Sequence, residues 1–221
     1  SERAVDFGYK VIGVGRQMTE EFSLLDQTKT TFIEFDLLDI SAIPSLVREI
    51  NGRSDDAPYA LINNAAIGLD GLLATQHSVD ISRILTLNLE SPITLSKYLL
   101  RQMVRSRRGR IVNISSIIAQ TGFKGLSVYG ATKAGLEGFT RSLSREVGRA
   151  GVTVNAVAPG FLATDMTRGL SDEKLKAVER RSALGHLATK EDVSGVVLYL
   201  LSNEARSITG TSITVDSGST A

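Results

Sequence analysis

Residues 110–133 read RIVNISSIIAQTGFKGLSVYGATK and join a strand pattern to a helix pattern. The first part, Arg110–Ile114, is apolar and β-branched, which predicts a buried strand. A Ser-Ser pair and a glycine-containing loop follow, and then an apolar spacing that predicts a helix over Leu126–Arg149. Tyr129 and Lys133 are four residues apart, so this helix places them on one face.

Tyr129, Lys133 and Ser116 carry side chains suited to proton transfer at a carbonyl oxygen. A phenol has a reference pKa of about 10, and a nearby ammonium favours its ionised form. We therefore expect Lys133 to lower the pKa of Tyr129, which would exchange a proton with a carbonyl or an alcohol. Ser116 follows the strand and can hydrogen-bond the same oxygen, whereas the neighbouring Ser115 is expected to point to the opposite side.

Strand patterns alternate with helix patterns along the chain. The predicted strands are Tyr9–Val14, Thr30–Phe35, Tyr59–Ile62, Arg110–Ile114, Val152–Val157 and Ser212–Val215. The predicted helices are Ser41–Asn51, Ser78–Arg105, Leu126–Arg149 and Glu191–Ser202, with Ser41 and Thr189 as N-caps. Most strands are apolar on both faces, as in parallel sheets. The fold class is therefore α/β: a Rossmann-like doubly wound parallel sheet with helices on both faces, in one domain over residues 1–221.

The composition excludes several classes of function. The chain has 221 residues, of which 42% are hydrophobic and 22% charged, and a net charge of +1. Neither nucleic acid nor a membrane surface is therefore expected as a partner. The sequence contains no cysteine, which removes thiolate nucleophiles and cysteine-ligated metals and fits a reducing cytoplasm. No metal site is predicted.

Five motifs, in chain order, resemble those of the short-chain dehydrogenase/reductase family. They are Asn63–Ile67 (NNAAI), Asn88, Ser116, the pair Tyr129 and Lys133, and Asn155–Gly160 (NAVAPG). The resemblance covers essentially the whole chain. Ala66 departs from the family pattern, which has glycine at that position of the first motif.

The resemblance implies an oxidoreductase that acts on CH–OH and C=O groups with a nicotinamide cofactor. It assigns proton chemistry to Asn88, Ser116, Tyr129 and Lys133. Lys133 would also bond the nicotinamide ribose, and Asn88 would hold a water that passes protons to Lys133 and Tyr129. The implied cofactor contacts are Arg16, Asp36, Leu37, Asn64, Ala65, Ala66, Tyr129, Lys133, Pro159, Gly160, Leu162 and Thr164.

The glycine-rich turn that cradles a pyrophosphate in this family is not found in the sequence. Gly13-Val-Gly15 ends a predicted strand but lacks the third glycine and the following helix. By motif spacing, Ser1 falls in the helix after that turn, so we expect the sequence to be N-terminally incomplete, through truncation or disorder. Without the family's first strand, the sheet would have two unpaired inner edges.

The end of the first predicted strand indicates the type of cofactor. Relatives that prefer NAD(H) place an acidic residue there, whereas this chain has Gly15 followed by Arg16. A guanidinium can bind a 2′-phosphate. NADP(H) is therefore expected rather than NAD(H), although Arg16 also suits an ordinary surface position.

Within the family, three segments resemble reductases of 3-oxoacyl thioesters linked to acyl-carrier protein: Asp70–Leu73, Ala158–Thr167 and Ser207–Gly210. These reductases use NADPH, and an acidic carrier protein docks on their arginines. A basic group is present at Arg101, Arg105, Arg107, Arg108 and Arg110. Arg107 matches one docking position and Ala150 falls on the other. Cations that interact with a helix C-terminus are the alternative explanation.

Other interpretations stay open. The alternative substrates are another ketone, a sugar or a steroid alcohol. The alternative of a different class is a non-catalytic dinucleotide-binding sensor or scaffold. Family resemblance suggests a homotetramer that packs through Ser78–Arg105 and Leu126–Arg149, in the cytoplasm. The segment Gly160–Thr189 is interpreted either as a solvated surface helix or as a lid over the ligand.

Overall fold

The computed structural model describes residues 1–53, 57–162 and 179–221. The strands are β1 (Val11–Gly15), β2 (Thr30–Glu34), β3 (Ala60–Asn63), β4 (Gly109–Ile114), β5 (Val152–Pro159) and β6 (Ser212–Val215). The α-helices are α1 (Glu2–Asp6), α2 (Glu20–Ser23), α3 (Ile43–Gly52), α4 (Ser78–Leu85), α5 (Ser91–Ser106), α6 (Ile118–Thr121), α7 (Ser127–Val147) and α8 (Lys190–Leu201). Thr164 and most of the predicted lid segment lie outside the described residues.

Every strand pair in this structure is parallel, which confirms the predicted fold class. The strands form one sheet of order β1–β2 and another of order β3–β4–β5–β6. Within the described ranges, no strand ladder joins the two sheets. The break falls between β1 and β3, where the sequence predicts two unpaired inner edges.

Helices cover both faces of the four-stranded sheet. Adjacent residues of a strand point to opposite faces, and the neighbours Ile111 and Val112 lie in different hydrophobic clusters. Ile111 packs in the cluster formed with α3, α5 and α7, whereas Val112 packs with Leu200 and Leu201 of α8. The doubly wound arrangement predicted from the sequence is confirmed.

A buried amide network fixes α7 against the strands. Asn113 of β4 has no exposed surface. Its side-chain oxygen accepts a hydrogen bond from Asn63 Nδ2 at 2.8 Å, and its own Nδ2 donates to Thr140 Oγ1 of α7 at 2.8 Å. Losing one partner would leave a buried polar group unsatisfied, which costs about 1–3 kcal/mol. The position of α7 relative to β3 and β4 is therefore set by directional bonds as well as by apolar packing.

The helix starts differ in part from prediction. Thr189 caps α8 in a reciprocal arrangement with Asp192, as predicted. Ser41 is not an N-cap: a 3₁₀ turn precedes α3, and the Asp39 carboxylate accepts the hydrogen bond from the Ala42 N–H at 3.1 Å. A carboxylate is favoured at this position because a helix N-terminus carries positive partial charge.

A π turn over Thr86–Glu90 interrupts the single helix predicted for Ser78–Arg105 and separates α4 from α5. Proline has no N–H, and in an α-helix its ring clashes with the carbonyl four residues earlier. Pro92 is four residues after Asn88, so an ordinary helix would bring the ring against the Asn88 carbonyl. A π turn relieves such a conflict, and it places Asn88 at a break in the regular hydrogen-bond ladder.

Candidate active site

The candidate site lies where β3, β4 and β5 end. Because these strands are parallel, their carboxyl ends meet at one edge of the sheet, which we call the carboxyl edge. Asn64 follows β3, Ser116 follows β4 closely, and Gly160 follows β5. The first turns of α7 bring Tyr129 and Lys133 to the same edge.

Tyr129 and Ser116 form a buried hydroxyl pair. Each is 8% exposed, and the Ser116 hydroxyl, which accepts from the Ile118 N–H at 3.3 Å, lies close enough to the phenol to lower its pKa. Ile117 and Ile118 pack around the phenol ring. Burial raises the pKa of Tyr129 above its ordinary value of 10.0, and the nearby Ser116 hydroxyl offsets part of that rise. The lowered pKa expected from the sequence is therefore wrong for the chain without cofactor.

Lys133 is a buried cation with one strong partner. It is 3% exposed, and its Nζ donates to the Ile114 carbonyl at 2.7 Å. Burial lowers its pKa from 10.5 to about 8, because the ammonium has lost most of its contact with water. Its Nζ lies 5.5 Å from the centre of the Tyr129 ring. The ammonium is thus beside the phenol but directed towards the end of β4.

The two adjacent serines have different partners, as the alternation of a strand predicts. Ser116 lies beside the Tyr129 phenol and lowers its pKa, whereas Ser115 Oγ donates to Glu137 Oε1 at 2.9 Å. Ser116, not Ser115, is therefore the hydroxyl that shares an oxygen position with Tyr129.

Asn88 joins the loop after β3 to α7. It is 1% exposed, its Nδ2 donates to the Ile67 carbonyl and its Oδ1 accepts from the Ile67 N–H, both at 2.8 Å. The same Nδ2 is 3.3 Å from Thr132 Oγ1, next to Lys133. The side chain is thus committed to the protein itself. A water held at this residue would have to use its backbone carbonyl, which has no α-helical donor because residue 92 is proline.

The predicted adenosine contacts follow β1 and β2. Arg16 is exposed directly after β1, and Asp36 is exposed shortly after β2 with its Oδ1 accepting from the Leu38 N–H at 3.0 Å. Leu37 is half-buried beside it. Parallel pairing of β1 with β2 brings these positions to one edge.

The predicted nicotinamide contacts follow β3 and β5. Asn64 and Ala65 are exposed, Ala66 and Leu162 are half-buried, and Pro159 is buried at the end of β5. Gly160 donates its N–H to the Val215 carbonyl at 2.9 Å. A Cβ there would meet the Asp216 Cβ at 2.6 Å, so only glycine fits.

These positions together suit a nicotinamide dinucleotide. Small residues and bare backbone lie at the strand ends, where such ligands bind. An exposed guanidinium is available after β1 and a buried ammonium beside β4.

Glu137 is a residue that the sequence analysis missed. It is a carboxylate 6% exposed on α7, one turn after Lys133. One carboxylate oxygen accepts from Ser115 Oγ at 2.9 Å and from Ser212 Oγ at 3.0 Å, which links α7 to β4 and β6. The sequence does hold a signal: Glu137 follows Tyr129 and Lys133 at four-residue spacing on the buried face.

The described residues contain no metal cluster and no membrane-spanning helix. No cluster of three or more histidine, aspartate or glutamate side chains there could hold a metal ion. None of the described helices is both long and apolar enough to cross a bilayer.

Comparison with known proteins identifies relatives over nearly the whole chain. A family profile described as enoyl-(acyl carrier protein) reductase matches residues 2–220. The 3-oxoacyl-(acyl-carrier-protein) reductase FabG of Pseudomonas aeruginosa is 38% identical over 215 residues, which is 96% of this chain and 87% of the relative. The protein of that name from Escherichia coli is 36% identical over 213 residues, with the same coverage. The protein of that name from Aquifex aeolicus is 38% identical over 224 residues, which is 99% of this chain and 90% of the relative.

Lys133→Met tests whether burial sets the charge of the site. With a pKa near 8 instead of 10.5, a charged Lys133 costs the folded state roughly 3 kcal/mol below pH 8. The lost bond to the Ile114 carbonyl costs about 2 kcal/mol. We expect the variant to be about 1 kcal/mol more stable than the parent at pH 7 in urea unfolding.

This gain should disappear between pH 8 and 10.5, where only the unfolded parent still binds the proton and the stability of the parent therefore rises with pH. Lys124→Met removes an exposed ammonium and should change stability little at either pH. A Lys133→Met variant that is less stable than the parent by the same amount at pH 7 and at pH 10.5 would contradict the buried-cation account.

Proposed function

This chain belongs to the short-chain dehydrogenase/reductase family, and on that premise we propose that it is an NADPH-dependent reductase of 3-oxoacyl thioesters carried on acyl-carrier protein. The observation that carries the proposal is the buried group of Ser116, Tyr129 and Lys133 at the carboxyl edge. The relatives named as 3-oxoacyl-(acyl-carrier-protein) reductases support the substrate class.

The hydroxyl pair acts on the ketone oxygen. The Ser116 and Tyr129 hydroxyls lie beside each other, so an oxygen that enters between them can accept a hydrogen bond from each. With its pKa raised above 10.0, the Tyr129 phenol is protonated at neutral pH, and the negative charge that develops on the ketone oxygen draws its proton. As the carbon gains a hydride, the C=O π bond breaks and the oxygen takes the Tyr129 proton, which gives the alcohol.

When bound, NADPH supplies that hydride. The residues that would hold it are Arg16, Asp36, Leu37, Asn64, Ala65, Ala66, Tyr129, Lys133, Pro159, Gly160, Leu162 and Thr164. Their placement at strand ends is consistent with this role for those that the structure describes.

Lys133 restores the proton of Tyr129. Its pKa of about 8 lies close to neutral pH, so it can give a proton to the phenolate and regain one from water at little cost in either step. The Asn88 carbonyl is suited to hold the water that makes this exchange, since Pro92 leaves it without its α-helical donor. The side chain of Asn88 fixes the loop and α7 around that position.

The position of the acid favours a ketone over an alkene. Reduction of an enoyl thioester, which the description of the family profile names, places a proton on carbon. Ser116 and Tyr129 are instead paired for one oxygen. Another ketone, a sugar or a steroid alcohol would meet the same pair, so the thioester rests on the relatives and is tested below.

The proposal extends to partners and assembly. Acyl-carrier protein would dock on the basic group at Arg107, whose exposed guanidinium donates to the Arg149 carbonyl at 2.9 Å. A homotetramer through α4, α5 and α7 is supported on two of these helices by exposed apolar side chains: Val79 at 70% and Leu85 at 42% on α4, and Val104 at 39% on α5. The chain would act as one domain in the cytoplasm.

An NADPH-consumption assay separates the candidate substrates. We expect turnover of acetoacetyl thioesters and little of crotonyl thioesters or simple ketones. Tyr129→Phe should lower kcat by roughly 10²–10⁴-fold while NADPH still binds, because only the proton donor is lost. Tyr199→Phe, at a 46% exposed position on α8, is the matched control and should keep full activity.

Two results would contradict this proposal. Turnover of ketones without turnover of thioesters would exclude the substrate. Undiminished turnover by Tyr129→Phe would exclude the assigned acid.

Arg16→Gln tests the cofactor. The loss of one charge-assisted bond to a 2′-phosphate should raise KM for NADPH by about tenfold or more and leave KM for NADH nearly unchanged. Lys10→Gln, an exposed change just before β1, should alter neither value. Equal catalytic efficiency of the parent with NADH and NADPH would refute the role of Arg16.

A further inference from the structure

A polar cleft lies at the amino edge of the four-stranded sheet, opposite the carboxyl edge. It has a volume of about 640 Å³ and is lined at the amino ends of β4 and β5. We call it the arginine cleft, and its defining side chains are Arg107, Arg108, Arg110, Arg206, Ser207 and Asn203. Its size is that of a small-molecule site.

The arginine cleft carries positive charge without a matching carboxylate. No acidic residue lines it, and within the described part of the chain none of its four arginines has a carboxylate at ion-pair distance. Glu204 is the nearest acidic residue in sequence and is exposed; Arg206 is the weakest of the influences that lower its pKa. Four cations therefore face one space.

The negative C-terminal ends of helices balance only part of this positive charge. The C-terminal ends of α5 and α8, and of the 3₁₀ turn Gly148–Ala150 that follows α7, all lie near this edge. Each helix C-terminus carries roughly half a negative charge. Three such ends offset about 1.5 of the four positive charges, so a substantial excess remains for a ligand.

Arg110 shows that the excess includes a buried group. It is 6% exposed, its Nη1 donates to the Gly109 carbonyl at 3.0 Å, and its Nε has no partner. Its guanidinium and that of Arg108 lie 5.6 Å and 4.5 Å from the centre of the Tyr59 ring. A buried guanidinium with an unsatisfied N–H is costly unless an acceptor reaches it.

The backbone holds this arrangement in place. Arg107 ends α5 with a φ of 52°, a left-handed conformation that usually belongs to glycine. A side chain at Gly151, whose φ is 75°, would collide with the Arg107 carbonyl. The Arg107 guanidinium, which donates to the Arg149 carbonyl at 2.9 Å, is thereby held at the wall of the cleft.

We propose that the arginine cleft binds the phosphate group of a phosphate ester or of pyrophosphate. The forked N–H groups of arginine match phosphate oxygens, and Ser207 and Asn203 add polar contacts at the rim. The cleft is at the far edge of the sheet from Tyr129, so it is separate from the hydride site. Arg107 and Arg108 also belong to the proposed docking group. A free phosphate ester in the cleft would therefore oppose carrier-protein docking, whereas the phosphodiester of the carrier itself would strengthen it; both consequences rest on the proposed function.

Calorimetric titration with inorganic pyrophosphate at constant ionic strength tests the site without catalysis. We expect saturable binding by the full chain, weakened at least tenfold by Arg206→Gln, an exposed residue outside the catalytic group. Arg83→Gln removes the same charge from exposed α4 and should change the Kd less than twofold. No saturable binding, equal effects of the two variants, or loss of binding only in Arg16→Gln would overturn the proposal.

A second arm identifies the source of the phosphate. The apo form of a carrier protein lacks the phosphodiester of the prosthetic arm, and the holo form has it. Tighter binding of the holo form that Arg206→Gln abolishes would assign the cleft to that phosphodiester. Equal binding of both forms, each displaced by pyrophosphate, would assign it to a free phosphate ester. The link to docking would be overturned if neither pyrophosphate nor Arg206→Gln altered the binding of the carrier protein. Failure of the reductase assay would not affect the pyrophosphate result, because that titration involves no catalysis.

Discussion

The burial of one ammonium group is the constraint on which the site depends. Lys133 is almost wholly shielded from water, and its bond to the Ile114 carbonyl exists only while α7 lies against the end of β4. The hydrogen bond between Asn113 and Thr140 holds that contact. Glu137 of α7 reinforces it by accepting a hydrogen bond from Ser212 of β6. Shielding lowers the pKa of Lys133 to about 8 and raises that of Tyr129, so packing rather than charge pairing sets both pKa values.

Much of this arrangement follows from the sequence. Short apolar, β-branched runs locate the strands and helical spacing locates the long helices, because a strand of a covered parallel sheet needs apolar residues on both faces. The spacing of Ser116, Tyr129 and Lys133 placed their side chains together. What local pattern did not reveal was burial: the raised pKa of Tyr129 and the partners of Asn88 depend on contacts between distant segments. Pro92, four residues after Asn88, was a local signal of the π turn.

The two edges of the sheet carry opposite kinds of chemistry. Strand ends and helix starts meet at the carboxyl edge, where proton donors gather around a reacting oxygen. Helix ends meet at the amino edge, and there the sequence places arginines in numbers beyond what the helix termini need. The same parallel topology therefore separates a site for reaction from a site for anion recognition, and Arg107 and Arg110 link the second to the ends of α5 and β4.

The most direct measurement is the titration of Lys133 by NMR in the cofactor-free protein, with labelled lysine side chains and Lys133→Met to assign the signal. Our account predicts that Lys133 loses its proton near pH 8, whereas the reference value for a lysine side chain is about 10.4. A Lys133 signal that titrates together with the exposed lysines would contradict the claim that burial prepares this site for proton transfer.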